Sequence, residues 1–512
     1  MVWSDFLKWV RRERSSTDEY AYESLPDNKL TVEEILELAG FGKFQFKLLF
    51  IVGIRVFAHG CSFALMTVVS TSMQCEWSLS NFEKALITAS FFAGFALGSF
   101  AGGIFADKYG RLKTMLLAYS LSAFYSTLSS LSPSFFWMLA LRFMFGIYVG
   151  GVSLGYLFLI EFMPKRYRRC VTSMDLFFGF GIVCIALQGA TILHDINWRY
   201  FIVIAEALPL LLASMCALLV PESPRYLISV GRTAEAEKIF NQILRENRSQ
   251  CKGVKLKQAS FVRSSEENGR LCALFSGRYL LYTACFAFIW FSVSMGQVGT
   301  LYLTTEYYHI PSGMCAKTQD SPGQLEDPIA CLYCKTLSWT DYMNLMVTGL
   351  GGIPAFIISY ITMEKVGRRL TVRGLLLLIL VMSSILVFCL PHWALVISFV
   401  VAYTSGYTCH LVLQVYVSEV YPTYFRGVAN GFIKIFSRSG HIVGAFYAQY
   451  FMKMNFIISL STFCSLTFIA CLLTFVITQE TNGKDLNDTD EACMDEGEEM
   501  HLVTEDEDQE SG

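Results

Sequence analysis

The sequence predicts an all-α integral membrane protein with twelve transmembrane helices in two six-helix bundles. Three observations carry that expectation. Apolar residues make up 54% and charged residues only 16% of the 512-residue chain, with a mean hydropathy of +0.44. The apolar residues gather into runs of about 20, the length at which a helix crosses a bilayer. The chain also repeats itself. Asp107-Lys108-Tyr109-Gly110-Arg111 recurs as Glu364-Lys365-Val366-Gly367-Arg368, Glu161-x-x-Pro164-x-x-x-Arg168 as Glu419-x-x-Pro422-x-x-x-Arg426, and Glu222 as Glu480, all offset by 257–258 residues. Three patterns at one offset mark a duplicated half, the sequence signature of a two-bundle membrane transporter.

Taken in order, residues 1–46 form an N-terminal segment whose start is polar. Thr31 and Glu34 make a capping-box pattern and Gly40 ends a short amphipathic helix, which the reading lays against the membrane surface. Spans follow at roughly 47–72, 84–106, 113–131, 135–159, 171–193 and 199–220, forming the first bundle, 47–220. A central loop, 221–278, carries a helical pattern from Thr233 to Arg245. The second bundle, 279–478, has spans at roughly 279–303, 342–363, 370–390, 393–418, 429–451 and 455–478. The acidic tail, 479–512, is read as disordered. Gly94, Gly98 and Gly102 on span two permit close helix approach.

Basic residues set the expected orientation. Lys108, Arg111 and Lys113 follow span two, Lys165, Arg166, Arg168 and Arg169 span four, Lys365, Arg368 and Arg369 span eight, and Arg426 span ten. The opposite loops hold little beyond Lys84 and Lys453. Both termini and the central loop are therefore expected in the cytosol. Cys75 and the loop cysteines Cys315, Cys331 and Cys334 fall on the other side, where disulfides can form, but the sequence does not pair them. Cys331-x-x-Cys334 lacks two further ligands at suitable spacing, so no metal site is expected. Asn247 and Asn487 fit a glycosylation pattern on the cytosolic side, where modification is not expected.

The duplicated acid–Lys–x–Gly–Arg motif combines a turn, a carboxylate at a helix end and cations that can reach it. Asp107, Lys108, Gly110, Arg111, Glu364, Lys365, Gly367 and Arg368 read as a two-state lock, with Glu161, Arg168, Glu419 and Arg426 in the same role. A blander account makes these residues topology signals only. Charges inside spans are costly and are functional candidates. Arg55, His59 and Ser62 share one face of span one, and Lys434, Arg438 and His441 one face of span eleven. The reading has both stripes line a shared cavity, with Asp175, Glu206 or a bound anion as partners. His410, alone among apolar residues, reads as a packed histidine. No cofactor, nucleic-acid or enzyme motif is found.

Over residues 31–486 the chain resembles the major facilitator superfamily. Thr31-Val32-Glu33-Glu34, Gly40-Phe41-Gly42-Lys43-Phe44, Cys75-Glu76-Trp77, Asn197-Trp198-Arg199, Pro221-Glu222-Ser223, Asp341-Tyr342-Met343 and Glu419-Val420-Tyr421-Pro422-Thr423 are similar to the synaptic vesicle two-related branch. Glu480-Thr481-Asn482-Gly483-Lys484 resembles the terminal motif of its organic-ion and sugar carriers. The resemblance implies twelve spans, alternating access and residence in vesicle membranes, with the plasma membrane second. Relatives carry an acidic pair in span one, where this chain has His59 and Ser62, with Arg55 added. Tyr403 stands where some carry a span-ten arginine, and Arg438 matches the family's span-eleven arginine. The expected function is transport of a small organic solute, an anion or a carboxylate-bearing zwitterion, with proton coupling through the histidines. The alternative is a transporter-shaped receptor or trafficking partner without flux. Tyr22-Glu23-Ser24-Leu25, and Glu498 with Leu502-Val503, match short signals read by sorting adaptors.

Overall fold

The structure, a computed structural model of the chain, describes residues 29–248, 254–256, 274–275, 277–307, 337–388, 390–421 and 426–478. Six spans form the N-terminal half: Lys43–Trp77, Asn81–Tyr109, Arg111–Ser130, Phe135–Glu161, Met174–Ile192 and Trp198–Ala217. Six more form the C-terminal half: Gly277–Glu306, Trp339–Lys365, Arg368–Ile385, His392–Val420, Arg426–Phe446 and Phe456–Val476. The eleventh continues through a wide turn, Tyr447–Phe451, to Met454. Nine of the described helices are apolar and long enough to cross a membrane by themselves. The third, ninth and eleventh begin with basic residues, and the eleventh also carries Lys434 and Arg438, so their stability in a bilayer depends on the bundle around them.

The duplication is visible in the packing. Spans one and five, two and four, one and six, and three and six pack together in the N-terminal half. The equivalents, seven and eleven, eight and ten, seven and twelve, and nine and twelve, pack together in the other. In lipid, apolar side chains gain nothing by leaving the tails, so close backbone approach does more of the work. A Cβ at Gly94 or Gly98 would lie 2.0 or 1.7 Å from carbonyl oxygens of span four. Gly102 has no such contact, its nearest neighbour being a leucine methyl at 3.7 Å. The halves meet where span two packs on eleven, five on eight and one on seven.

The helix Val32–Ala39 has the capping box, with Thr31 N–H donating to Glu34 at 2.8 Å, and ends at Gly40 with φ +59°. Its apolar face does not lie on a membrane surface. Ile35, Leu36 and Ala39 are buried, and the helix packs on Thr233–Glu246 of the central loop. Glu33 pairs with Arg168 at 3.0 Å and with Arg225. The Asn247 amide donates to the carbonyls of Ala39 and Gly40 and to Gln45, and its oxygen accepts from Phe44 N–H. Asn247 is 3% exposed, which excludes a glycan there in this fold. Lys29–Leu30 pairs in parallel with Lys255–Leu256, adding a second tie between the N-terminal segment and the central loop.

Candidate functional site

The seam between the halves gathers part of the two cationic stripes. Arg438 of span eleven lays its guanidinium over the Phe95 ring of span two, 3.8 Å from the centroid. His59 of span one stands 5.2 Å from the same ring. His441, one turn on from Arg438, touches Phe63 and Phe92 at 5.8 and 5.4 Å. Phe63 also meets His59, and Phe178 of span five closes the group at 5.4 Å from His59. The face of the Phe95 ring supplies a weak counter-charge to the Arg438 guanidinium. Arg438 Nε, His59 Nδ1 and both His441 nitrogens are buried without a hydrogen-bond partner among the described residues. Tyr302 of span seven donates to the Phe63 carbonyl at 3.0 Å, pinning span one to the other half beside this group.

One expected member of the cavity, Arg55, lies elsewhere, and another, Ser62, turns its hydroxyl back on its own helix. Arg55 is turned into the N-terminal half, 0% exposed, with its guanidinium 4.8 Å from the Tyr119 ring of span three. The Ser62 hydroxyl donates to Ala58 O of its own helix at 3.0 Å. A helix stripe fixes a direction, but the neighbour met in that direction changes with depth. Neither expected acidic partner pairs with the seam cations. Glu206, on a wide turn Val203–Ala207 of span six, takes Arg142 of span four at 2.9 Å and the Ser126 hydroxyl at 2.7 Å. Asp175 accepts from Tyr156 and Tyr407. Arg142 was missed by the sequence reading, although an arginine inside an apolar run is itself the signal. His410 packs edge-on against Trp290 at 4.7 Å.

At the end carrying the duplicated motif, Arg111 binds Asp107 at 2.7 Å and Glu161 at 3.4 Å. Its counterpart Arg368 binds Glu419 at 2.9 Å and donates to Met363 O. Gly110 and Gly367 both have positive φ, +111° and +91°. A Cβ on Gly110 would sit 2.6 Å from the Glu222 carboxylate, whose Oε1 accepts from the N–H groups of Leu112 and Ser223. Lys108 is exposed beside Tyr109, and Glu364 and Lys365 are exposed at the end of span eight. Glu161 does not pair with Arg168. The tight helical turn Lys165–Ser173 after Pro164 carries Arg168 to Glu33 instead. The Arg426 side chain and Glu480 lie outside the described residues.

At the opposite end a different set of charges joins the halves. Lys84 of span two and Lys453 beyond span eleven flank the Glu306 carboxylate, Lys84 on Oε1 and Lys453 on Oε2 at 2.7 Å. Lys453 also donates to Asn81 of span two at 3.2 Å. Phe82 packs on Phe446 and Tyr450 beside them. From the sequence alone Lys84 reads only as a loop residue. Glu76 accepts from Trp198 and Arg199, and Trp77 meets Trp198 edge-on at 5.4 Å, so two of the motifs singled out in the sequence touch. Cys75 is disulfide-bonded. Cys315, Cys331 and Cys334, like both sorting-signal patterns and Asn487, lie outside the described residues.

Relatives and solved folds agree with this architecture. The family model described as Major Facilitator Superfamily matches residues 51–445. The synaptic vesicle 2-related protein of Xenopus laevis is 27% identical over 94% of this chain and 87% of its own. The mouse putative transporter SVOPL is 28% identical over 89% of this chain and 93% of its own. The xylose transporter XylE from E. coli, in a partially occluded inward-open conformation, superposes with a TM-score of 0.62 at 18% identity, covering 86% of this chain and 99% of XylE. The chain is a multi-pass membrane transporter belonging to the major facilitator superfamily.

Proposed function

We propose that the chain moves a small organic solute bearing a carboxylate, an organic anion or a zwitterion, by alternating access across a vesicle membrane, with both termini in the cytosol. The observation that carries this reading is Arg438. It reaches across the seam to Phe95 with an unpartnered Nε, beside unpartnered nitrogens of His59 and His441. A cation fixed between low-dielectric walls concentrates anions and repels cations. Its planar fork can take a carboxylate by two parallel hydrogen bonds, which lysine cannot copy. Arg55, buried behind Tyr119, adds to the field without lining the seam. The basic loops on one side support the orientation. The name of the frog relative supports a vesicle membrane.

Uptake into proteoliposomes across a panel of organic anions, zwitterions, cations and sugars tests it. An anionic or zwitterionic solute is expected, and Arg438→Lys weakens its binding by more than about 1 kcal/mol, roughly fivefold. Uptake confined to cations, or an unchanged affinity in Arg438→Lys, rejects the reading. No flux for any solute returns the receptor alternative.

A further inference from the structure

Away from the duplicated motif, three carboxylates within the spans, Glu206, Glu306 and Asp175, are compensated differently. Glu206 has Arg142, and Glu306 has Lys84 and Lys453. Asp175 forms no ion pair among the described residues. Its Oδ1 accepts from the Tyr156 hydroxyl at 3.0 Å and the Tyr407 hydroxyl at 3.3 Å, and Tyr407 also lies 3.4 Å from its backbone carbonyl. Both phenols use the same oxygen, and Oδ2 has no hydrogen-bond partner among the described residues. Tyr156 belongs to span four and Tyr407 to span ten, so the carboxylate links the two halves. The tight turn Lys165–Ser173 leads into it, and its partner Tyr156 lies five residues before the end of span four at Glu161. Tyr407 lies near the middle of His392–Val420.

A carboxylate inside a membrane without a fixed cation is expensive as an anion and marks an exchangeable positive partner. Asp175 is half-buried, with aromatic rings stacked on its partner Tyr407. Phe178, one turn along from Asp175, stacks on Tyr407 with ring centroids 5.8 Å apart, and Tyr403 stacks on the far side of Tyr407 at 6.1 Å. Span eight brings Gly349 and Gly352 against Gly179. The titratable groups facing this region are Tyr156 from span four, Tyr403 and Tyr407 from span ten, and His59 from span one across Phe178.

We propose that Asp175 is the site of an exchangeable coupling proton, taken up on Oδ2. A proton from solvent forms the Oδ2–H bond and converts the carboxylate to the neutral acid. The two phenol bonds to Oδ1 change from charge-assisted to neutral and weaken. Tyr407 is the member that belongs to the other half, so protonation loosens one tie between the halves and biases their equilibrium. The inference rests on the reading of the chain as an alternating-access carrier, independent of the charge of its solute.

Infrared difference spectroscopy of the full chain in lipid, between acidic and neutral pH, reads the proton directly. The C=O stretch of a protonated carboxylic acid is expected in the wild type, lost in Asp175→Asn and retained in Glu206→Gln. Tyr407→Phe, which keeps the ring and its stack, displaces the pH at which the band forms. A band that survives in Asp175→Asn, or that Tyr407→Phe leaves in place, overturns the proposal, as does a wild type with no such band. A solute screen that found no organic anion would leave this band unchanged, so the two readings fail separately.

Discussion

The two ends of the molecule hold their charges in different ways. At the motif end Arg111 joins Asp107 and Glu161, and Arg368 joins Glu419, each set inside one half. At the opposite end Lys84 of one half meets Glu306 of the other, and Lys453 returns to Asn81. The duplicated motif therefore braces each half as a body, while the unduplicated trio ties the bodies together. Rocking needs both: rigid halves and a contact between them that can break. A duplication can only repeat contacts made within the repeating unit. A contact between halves joins non-equivalent positions and leaves no internal copy to find.

The largest expected effect comes from breaking the tie. Lys84 and Glu306 are 1% and 4% exposed at the side chain, and removing one partner strands the other charge away from water. Glu306→Gln should cost about 3–5 kcal/mol of stability in a thermal unfolding series, while Lys84→Met with Glu306→Leu recovers most of it. Equal losses in the single and double variants would show that the pair matters only as packing.

The braces should matter less, and inside one half only. Gly110→Ala forces a side chain into positive φ and against the Glu222 carboxylate, a cost of about 1–3 kcal/mol. Asp107→Ala should cost under about 1 kcal/mol, because the carboxylate is 63% exposed and its pair with Arg111 is screened. Thermal unfolding of the two variants side by side checks the order. A larger loss in Asp107→Ala would make the acid, rather than the turn, the centre of the motif.

The smallest effect is at the N-terminal helix. Burial raises the Glu33 carboxyl, but Arg225 and Arg168 outweigh it and hold the group below its ordinary value. A depressed carboxylate contributes stability above its unfolded value and loses it as pH falls through the lower folded one. Hydrogen-exchange protection over residues 32–39, taken relative to the intrinsic amide rate at each pH, should therefore be high at neutral pH and fall in acid. In Glu33→Gln the protection should be lower at neutral pH and change little with acidification. Protection that is independent of pH in the unaltered protein would assign the docking to Leu36 and Asn247 alone.

Much of the fold was legible because its causes are local or repeated. Runs of apolar residues give spans, and the Thr31 capping box and the Thr233–Glu246 helix follow from a few adjacent side chains. Arg438 was legible because a cation in a span must be accounted for. The same reasoning placed Arg55 in the cavity, where the approach of Tyr119 from span three puts it inside one half instead. The wide turns at Glu206 and Gln449 leave no sequence signature, since they depend on neighbours that relieve a strained turn. Lys84 and Glu306 sit at the edges of their spans, where a charge reads as a loop residue until the partner helix is known.

Spin-label distances across the opposite end, between one site on span two and one on span seven, test most directly whether the trio holds the halves together. The account predicts a short, narrow distribution in the unaltered protein and a longer or second population in Glu306→Gln, with distances within each half unchanged. Identical cross-half distributions in the two proteins would contradict it.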